Sequence, residues 1–502
     1  MKSILLLYMP TANQRMLPFP PLGISVLAAS LKKAGFEVRI RDLEMMYWDR
    51  DLFRNRFLKK LARALPLKYN NPKKIFLDLR KVYDYLDSGR PDAAMEIILN
   101  EWEGCSNIDL SRFEYIGFSV MGMEQLSTSL CFAKFLKQRY GVKIIFGGSL
   151  ISEKTSVLLE KYSFLDYFIV GEGEIPLSLL LRQEEEKDIP NLIFRKGGLV
   201  TVNKTAALYS ENMEPDFEGL PFDLYRRNKV LLVPYETSKG CINKCNFCIT
   251  RRKELRFKEV GKIIEDLRRI RDTYGTRCFL FVDNAINLSH DFSRDLCNEL
   301  IKNKLDILWS AYCIPKKEDG DYFELLRKSG CVQLRWGIES FSGDVLREMN
   351  KRIEKREVSD LLSSSHSAGI WNHVIFIFGH PLEKMGDIFE VIHFISGHKK
   401  FIRSAVLARF ELERLDIFSE TGNYYQDNYP NGKCRQMEKF GIKYRIFEDR
   451  HLALKYGLLL RSFRFNGIRF IGNFNKMKGN FEENQFMFNV FNSYLAKERT
   501  IQ

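Results

Sequence analysis

The chain has 502 residues, 45% of them hydrophobic, which is enough for two or three domains with cores of their own, and its net charge of +14 favours acidic substrates or partners. No apolar run approaches the roughly 20 residues needed to span a bilayer, and residues 4–9 are too short for the apolar region of a signal peptide, so the sequence reads as cytoplasmic. Its length and the lack of a signal-peptide pattern argue against a disulfide framework, which belongs to small secreted domains short of core.

From the amino terminus, short runs rich in Ile, Val, Phe and Tyr predict strands at residues 4–8, 37–40, 115–119, 142–146 and 167–170. Helical patterns separate them at 22–34, 125–140, 152–161 and 175–182, and a helical insertion fills about 44–112. This alternation predicts an α/β domain over residues 1–190, an open doubly wound sheet with its ligand outside the strand carboxyl ends. Glycines gather at those ends: Gly117 and Gly122, then Gly147 and Gly148, then Gly171-Glu172-Gly173-Glu174. A glycine there admits close approach of a large ligand, and equally serves a tight turn. Residues 191–203 read as a hairpin around Gly197-Gly198, and Pro215, Gly219 and Pro221 mark a linker ending near 226.

Beyond the linker, Cys241, Cys245 and Cys248 stand at Cys-x3-Cys-x2-Cys spacing. Three thiolates can hold three corners of a four-iron cluster and leave the fourth iron open to a ligand. Structural zinc is the alternative, but it closes with four ligands, and no second Cys or His pair follows at finger spacing. The other seven cysteines are scattered singly, mostly in apolar segments, where a thiol acts as a small hydrophobe. Predicted strands at 231–234, 278–282, 306–311, 331–336 and 374–378 alternate with helices at 258–272, 292–303, 322–328 and 356–368. That pitch predicts a parallel sheet with right-handed crossovers over 227–410, a partial or full β/α barrel with functional residues at strand carboxyl ends. The loop carrying the three cysteines leaves such an end.

The cysteine spacing, with Phe247 before the last cysteine and Ser238-Lys239-Gly240 before the first, resembles the signature of the radical S-adenosylmethionine (SAM) superfamily. The segment from Gly337-Ile338-Glu339-Ser340 to Met349-Asn350-Lys351, and the strand exit Gly379-His380-Pro381, resemble later motifs of that family. The resemblance implies a [4Fe–4S] cluster on the three cysteines whose open iron chelates SAM, and reductive cleavage of SAM to a 5′-deoxyadenosyl radical. It implies SAM contacts at Phe247, Asp283, Ser310, Gly337 and Glu339; Asp283 reads equally as a helix cap, and Ile314 stands where many relatives carry an arginine. Tyr312, Cys313 and His380 are candidates for the cavity wall. Pro20-Pro21-Leu22-Gly23, Lys33-Ala34-Gly35-Phe36, Gly147-Gly148-Ser149 and Gly171-Glu172-Gly173-Glu174 resemble the amino-terminal domain of cobalamin-binding radical SAM enzymes. That implies cobalamin contacts at Ser119, Gly122, Gly147, Gly148, Gly171, Glu172, Gly173 and Glu174. All seven histidines lie at or beyond His290, so this domain carries no Asp-x-His-x-x-Gly motif, and cobalt would have no histidine from it as lower ligand.

After residue 405 the β/α pattern fades into a basic, aromatic region, 411–502, in which Arg461, Arg464 and Arg469 interleave with Phe463, Phe465 and Phe488. An α-rich cap packing its phenylalanines on the barrel is the expectation, with binding of an anionic ligand, nucleic acid or membrane surface as the alternative. The expected activity is cobalamin-dependent methylation of an unactivated carbon, the substrate being a small molecule, lipid or peptide and the electron donor a flavodoxin or ferredoxin. Competing readings are a radical rearrangement, cyclisation or oxidation on the same scaffold, and a non-enzymatic iron–sulfur redox sensor. A methylthiotransferase should carry a second cluster on three amino-terminal cysteines, and only Cys105 and Cys131 precede Cys241.

Overall fold

Five short strands build the parallel part of the first sheet, four of them largely apolar because helices cover both faces and one, Glu37–Asp42, alternating apolar and charged residues at the edge. They are β1 (Ser3–Tyr8), β2 (Glu37–Asp42), β3 (Tyr115–Ser119), β4 (Lys143–Gly147) and β5 (Tyr167–Ile169), all parallel. The computed structural model describes residues 2–12, 19–49, 72–206, 213–226, 230–248, 254–410, 434–447, 451–471 and 487–496. The chain divides into two units, residues 1–225 with 437–444 and residues 226–436 with 445–502.

In the first unit the hairpin read at 191–203 is β6 (Leu192–Lys196) and β7 (Leu199–Val202): β6 pairs antiparallel with β5 and extends the sheet to the order β2-β1-β3-β4-β5-β6-β7. The parallel part has the order 2-1-3-4-5, so the direction of winding reverses between β1 and β3, where such sheets bind ligands. Over the insertion expected at about 44–112, the described residues form helices Leu43–Asp49, Leu79–Ser88 and Ala93–Ser106 with 3-10 turns at Pro72–Leu77 and Leu110–Arg112; residues 50–71 lie outside the described residues. The core of these helices is Trp102, fully buried, stacked on Phe76 at 4.8 Å and edge-on to Tyr47 and Phe132.

The second unit is built on β8 (Leu232–Tyr235), with a short antiparallel pair β9 (Ser238–Lys239) and β10 (Arg256–Phe257) above it. Strands β11 (Cys278–Phe281), β12 (Leu308–Cys313), β13 (Cys331–Glu339), β14 (Trp371–Phe378) and β15 (Ile402–Arg409) follow, each after a crossover helix and each parallel to its neighbour. A two-stranded ribbon, β16 (Cys434–Lys439) and β17 (Ile442–Phe447), whose residues 437–444 belong to the first unit, precedes helix Leu452–Phe465 of the second. That helix buries Phe463 against Phe376 of β14 and leaves Phe465 90% exposed. The expected cap is therefore partly barrel: β18 (Arg469–Ile471) pairs parallel with β15 as a seventh strand, giving the order β18-β15-β14-β13-β12-β11-β8. Among the described residues β8 and β18 do not pair, so the barrel is partial, and no helix is long and apolar enough to cross a membrane.

Candidate iron–sulfur and cofactor site

The loop after β8 is anchored before it reaches its first cysteine. Asp283, which follows β11, is 2% exposed, and its Oδ1 accepts from the Thr237 N–H (2.9 Å), the Thr237 hydroxyl (3.0 Å), the Ser238 hydroxyl (2.8 Å) and the Ser238 N–H. Asp283 is thus not the cap of the following helix, His290–Lys302, which Ser289 caps. Its Oδ2 is buried with no hydrogen-bond partner among the described residues. Burial lifts the Asp283 carboxyl to about 6, against the pull of its donors. The neighbouring Asn284 donates from Nδ2 to the Gly240 carbonyl at 2.6 Å. Gly240 has φ +86°, and a Cβ there would stand 1.8 Å from the Glu254 carbonyl oxygen, so the loop closes over β10 only with glycine.

Its far end is fastened to the segment after β13. The Asn246 N–H donates to the Met349 carbonyl (2.9 Å), Asn246 Nδ2 to the Glu348 carbonyl (2.6 Å), and Asn350 Nδ2 returns to the Lys244 carbonyl (2.9 Å). Phe247 packs on a small core of Val345, Met349 and Phe410. Cys241 and Cys245 lie within this fastened stretch and Cys248 directly follows it, all three partly exposed, whereas Cys105, Cys131, Cys278, Cys297, Cys313 and Cys331 are buried. Burial lifts Cys241 and takes Cys245 up to about 11. Iron binding would therefore release protons from these thiols.

At the end of β13, Glu339 adopts φ +66°, unusual for a residue with a side chain, and is 7% exposed. It forms an ion pair of 2.5 Å with Lys351, whose ammonium also donates to the Gly337 carbonyl at 2.6 Å and lies 5.8 Å from the Phe247 ring centroid. The structure thus joins Gly337, Glu339 and Phe247 through Lys351, a residue whose role the sequence hides because it lies 12 positions from its carboxylate.

The other expected site residues divide. Ser310 sits inside β12, 1% exposed, and donates to Gln333 Oε1 at 3.0 Å, so it is committed to the sheet and not the rim. Tyr312 is half-buried under the Arg335 guanidinium at 4.1 Å, and Cys313 is 1% exposed with its thiol held protonated by burial. Ile314 exchanges two backbone hydrogen bonds with the Asn287 side chain, at 3.0 Å each. His380 is 1% exposed, edge-on to Phe410 at 4.8 Å, and burial, with Lys455 adding to it, lowers its imidazole to about 3 and keeps it neutral. Sequence reasoning missed the buried pair Lys455–Glu383 (3.2 Å), whose carboxylate also accepts from the Gly379 N–H at 2.8 Å.

On the first unit, Ser119 ends β3, Gly122 precedes helix Met123–Tyr140, Gly147 ends β4, and Gly171 to Gly173 link β5 to helix Glu174–Leu181. Gly147 has no positive φ, and a Cβ there would meet nothing nearer than the Ile169 carbonyl oxygen at 3.9 Å. Local packing does not require glycine at this point, which suits a large ligand approaching from outside. Glu172 is partly exposed, whereas Glu174 is 7% exposed and turned from the rim into the fold.

Residues 235–395 match the radical SAM superfamily. The second unit thus carries a radical SAM domain. The chain is 25% identical over 264 residues to an uncharacterised methyltransferase of Pyrococcus horikoshii, covering 50% of this chain and 57% of that one. It is 27% identical over 179 residues to the bacteriochlorophyllide d C-12(1)-methyltransferase of Chlorobaculum tepidum, covering 34% and 39%. The matches thus span little more than half the length of these curated relatives, or less. The fold as a whole is shared with the radical SAM methyltransferase TsrM from Kitasatospora setae, solved with tryptophan and a SAM analogue: TM-score 0.68, 14% identity, 96% of this chain and 92% of that one.

The residues of this radical SAM domain fit the groups its superfamily implies. Among the described residues no His, Cys, Asp and Glu cluster converges on one metal ion. A four-iron cluster takes each thiolate on a different iron, so three soft sulfurs on one fastened loop suit it without meeting at a point. The buried, unpartnered Asp283 Oδ2 beside that loop suits the ammonium group of SAM.

Proposed function

We propose that this protein is a radical SAM enzyme that methylates an unactivated carbon with the help of cobalamin. Cys241, Cys245 and Cys248 would hold a [4Fe–4S] cluster, Asp283 would receive the SAM ammonium, and the glycine rim after β3, β4 and β5 would hold the corrin. When bound, these cofactors supply reductive cleavage of SAM and a transferable methyl group. The chain's own residues do the positioning. Asp283 and Gly240 set the start of the cysteine loop, Asn246 and Asn350 its end, and Lys351 ties Glu339 to Phe247.

The observation that carries this reading is the cysteine loop itself: three partly exposed thiols, on a loop fastened at its start and again at residues 244–247, at the carboxyl end of a parallel barrel strand. The likeness to TsrM, a structure of which was solved with cobalamin and a [4Fe–4S] cluster bound, supports the cobalamin part, and the relative named for methylation of bacteriochlorophyllide supports methyl transfer. We further propose a flavodoxin- or ferredoxin-type electron donor, an anionic protein suited to a chain of net charge +14, and a reducing compartment that protects the cluster. The test is anaerobic reconstitution with iron, sulfide and hydroxocobalamin, then desalting, spectroscopy and incubation with SAM and a reductant. Retained iron–sulfur and corrin absorption with formation of 5′-deoxyadenosine is the expected result. A reconstituted cluster that leaves SAM intact overturns the enzyme reading, and a cluster without retained corrin overturns the cobalamin part alone.

A further inference from the structure

With every histidine at or beyond His290, residues 1–225 offer no imidazole to a cobalt ion. What they place on the rim is a thioether. Val120 is built into the sheet edge: its N–H donates to the Gly147 carbonyl at 2.8 Å, its carbonyl accepts from the Leu150 N–H at 3.0 Å, and Gly148 lies so close that a Cβ there would stand 2.8 Å from both Val120 N and O. The next residue, Met121, is left on the outside, 40% exposed. By contrast Cys105, Cys131, Met9, Met45 and Met95 of the same unit are buried, and Met46, Met123 and Met213 are only partly exposed.

Met121 is also held in place. Its N–H donates to Gln125 Oε1 at 2.9 Å, and Gln125 in turn donates to the Met9 carbonyl beyond β1 at 2.8 Å. The Ser149 hydroxyl donates to the Met121 carbonyl at 2.9 Å and lies 3.8 Å from its sulfur, while the Ser119 hydroxyl lies 3.9 Å from the same sulfur. Hydroxyls from the ends of β3 and β4 thus converge on an exposed side chain that would otherwise be free to turn about three bonds. The place is the carboxyl end of β3 on its β4 side, one strand from the point between β1 and β3 where the winding of the sheet reverses and a ligand settles.

Resting on the cobalamin reading above, we propose that Met121 meets the lower face of the corrin and offers cobalt a thioether where no imidazole is available. A thioether is a soft, weak donor on an apolar arm, so it closes that face to water without binding the metal firmly.

Protein grown on 15N is loaded with hydroxocobalamin, reduced to Co(II) and studied by electron paramagnetic resonance. A coordinating protein nitrogen then splits the cobalt lines into doublets, whereas the cofactor's own 14N benzimidazole gives triplets. Met121→His should show the doublet and the parent protein should not. Met121→Ala, which only opens space, should show it when 15N-imidazole is added, again unlike the parent protein. Loss of corrin from both variants at unchanged iron content would support the contact as well. Retention of corrin by the variants without a 15N doublet in either overturns the proposal while leaving cobalamin binding intact. A parent protein that retains no corrin overturns the cobalamin reading and this proposal with it.

Discussion

Replacing Asp283 by asparagine removes one charge at the root of the cysteine loop while keeping an oxygen for Thr237 and Ser238. The carboxyl is 2% exposed, and burial moves it from the ordinary 3.8 to about 6. A carboxyl that holds its proton more tightly in the folded than in the unfolded chain adds stability while protonated. That gain is complete below about pH 4 and is lost as pH rises through about 6. At about 1.4 kcal/mol per pH unit, the change from 3.8 to about 6 corresponds to a loss on the order of 3 kcal/mol. Asparagine does not ionise, so the variant should not show this fall. Denaturant unfolding of the iron-free protein, followed through the buried Trp309 and Trp336 between about pH 4 and pH 7, compares the two. The variant should gain on the parent protein as pH rises through that window; parallel curves would refute the account of the buried charge. Asp283→Ala separates charge from hydrogen bonding. It strands the N–H and hydroxyl donors of both Thr237 and Ser238 and should cost about 3 kcal/mol or more at every pH.

Lys351→Met leaves Glu339 buried without its cation, a change of about 3–5 kcal/mol for a buried pair; thermal unfolding should show it, and an unchanged transition would mean that the pair is not formed in solution. Gly240→Ala places a methyl group 1.8 Å from the Glu254 carbonyl, so iron uptake on reconstitution should fall severalfold. Gly147→Ala, which meets nothing nearer than 3.9 Å, should leave iron uptake and stability as they are and lower corrin retention. Serine at Cys241, Cys245 or Cys248 should abolish the iron–sulfur spectrum, whereas serine at buried Cys105 should preserve it. Iron bound equally by all four variants would remove the cysteine loop from consideration.

The features legible in the sequence are those that short segments carry alone. Apolar runs alternating with helical patterns identified the first five strands and β8, β11, β12, β13 and β14, because period and burial are local properties of a strand between helices. The Cys241, Cys245 and Cys248 spacing was legible for the same reason: a loop of eight residues holds all three donors. What depended on tertiary structure was contact between distant segments. A strand of three residues, β18, has no period to read, and it becomes a strand only because β15 offers it a free edge. Asp283 looks like a helix cap in sequence and serves a loop 46 residues earlier. Lys351 and Lys455 look like surface charges until the fold buries each beside a carboxylate, and desolvation makes those pairings count. Met121 is one methionine among fourteen in the sequence; its exposure on the rim follows from the close packing of Gly148 on Val120, which no local pattern announces.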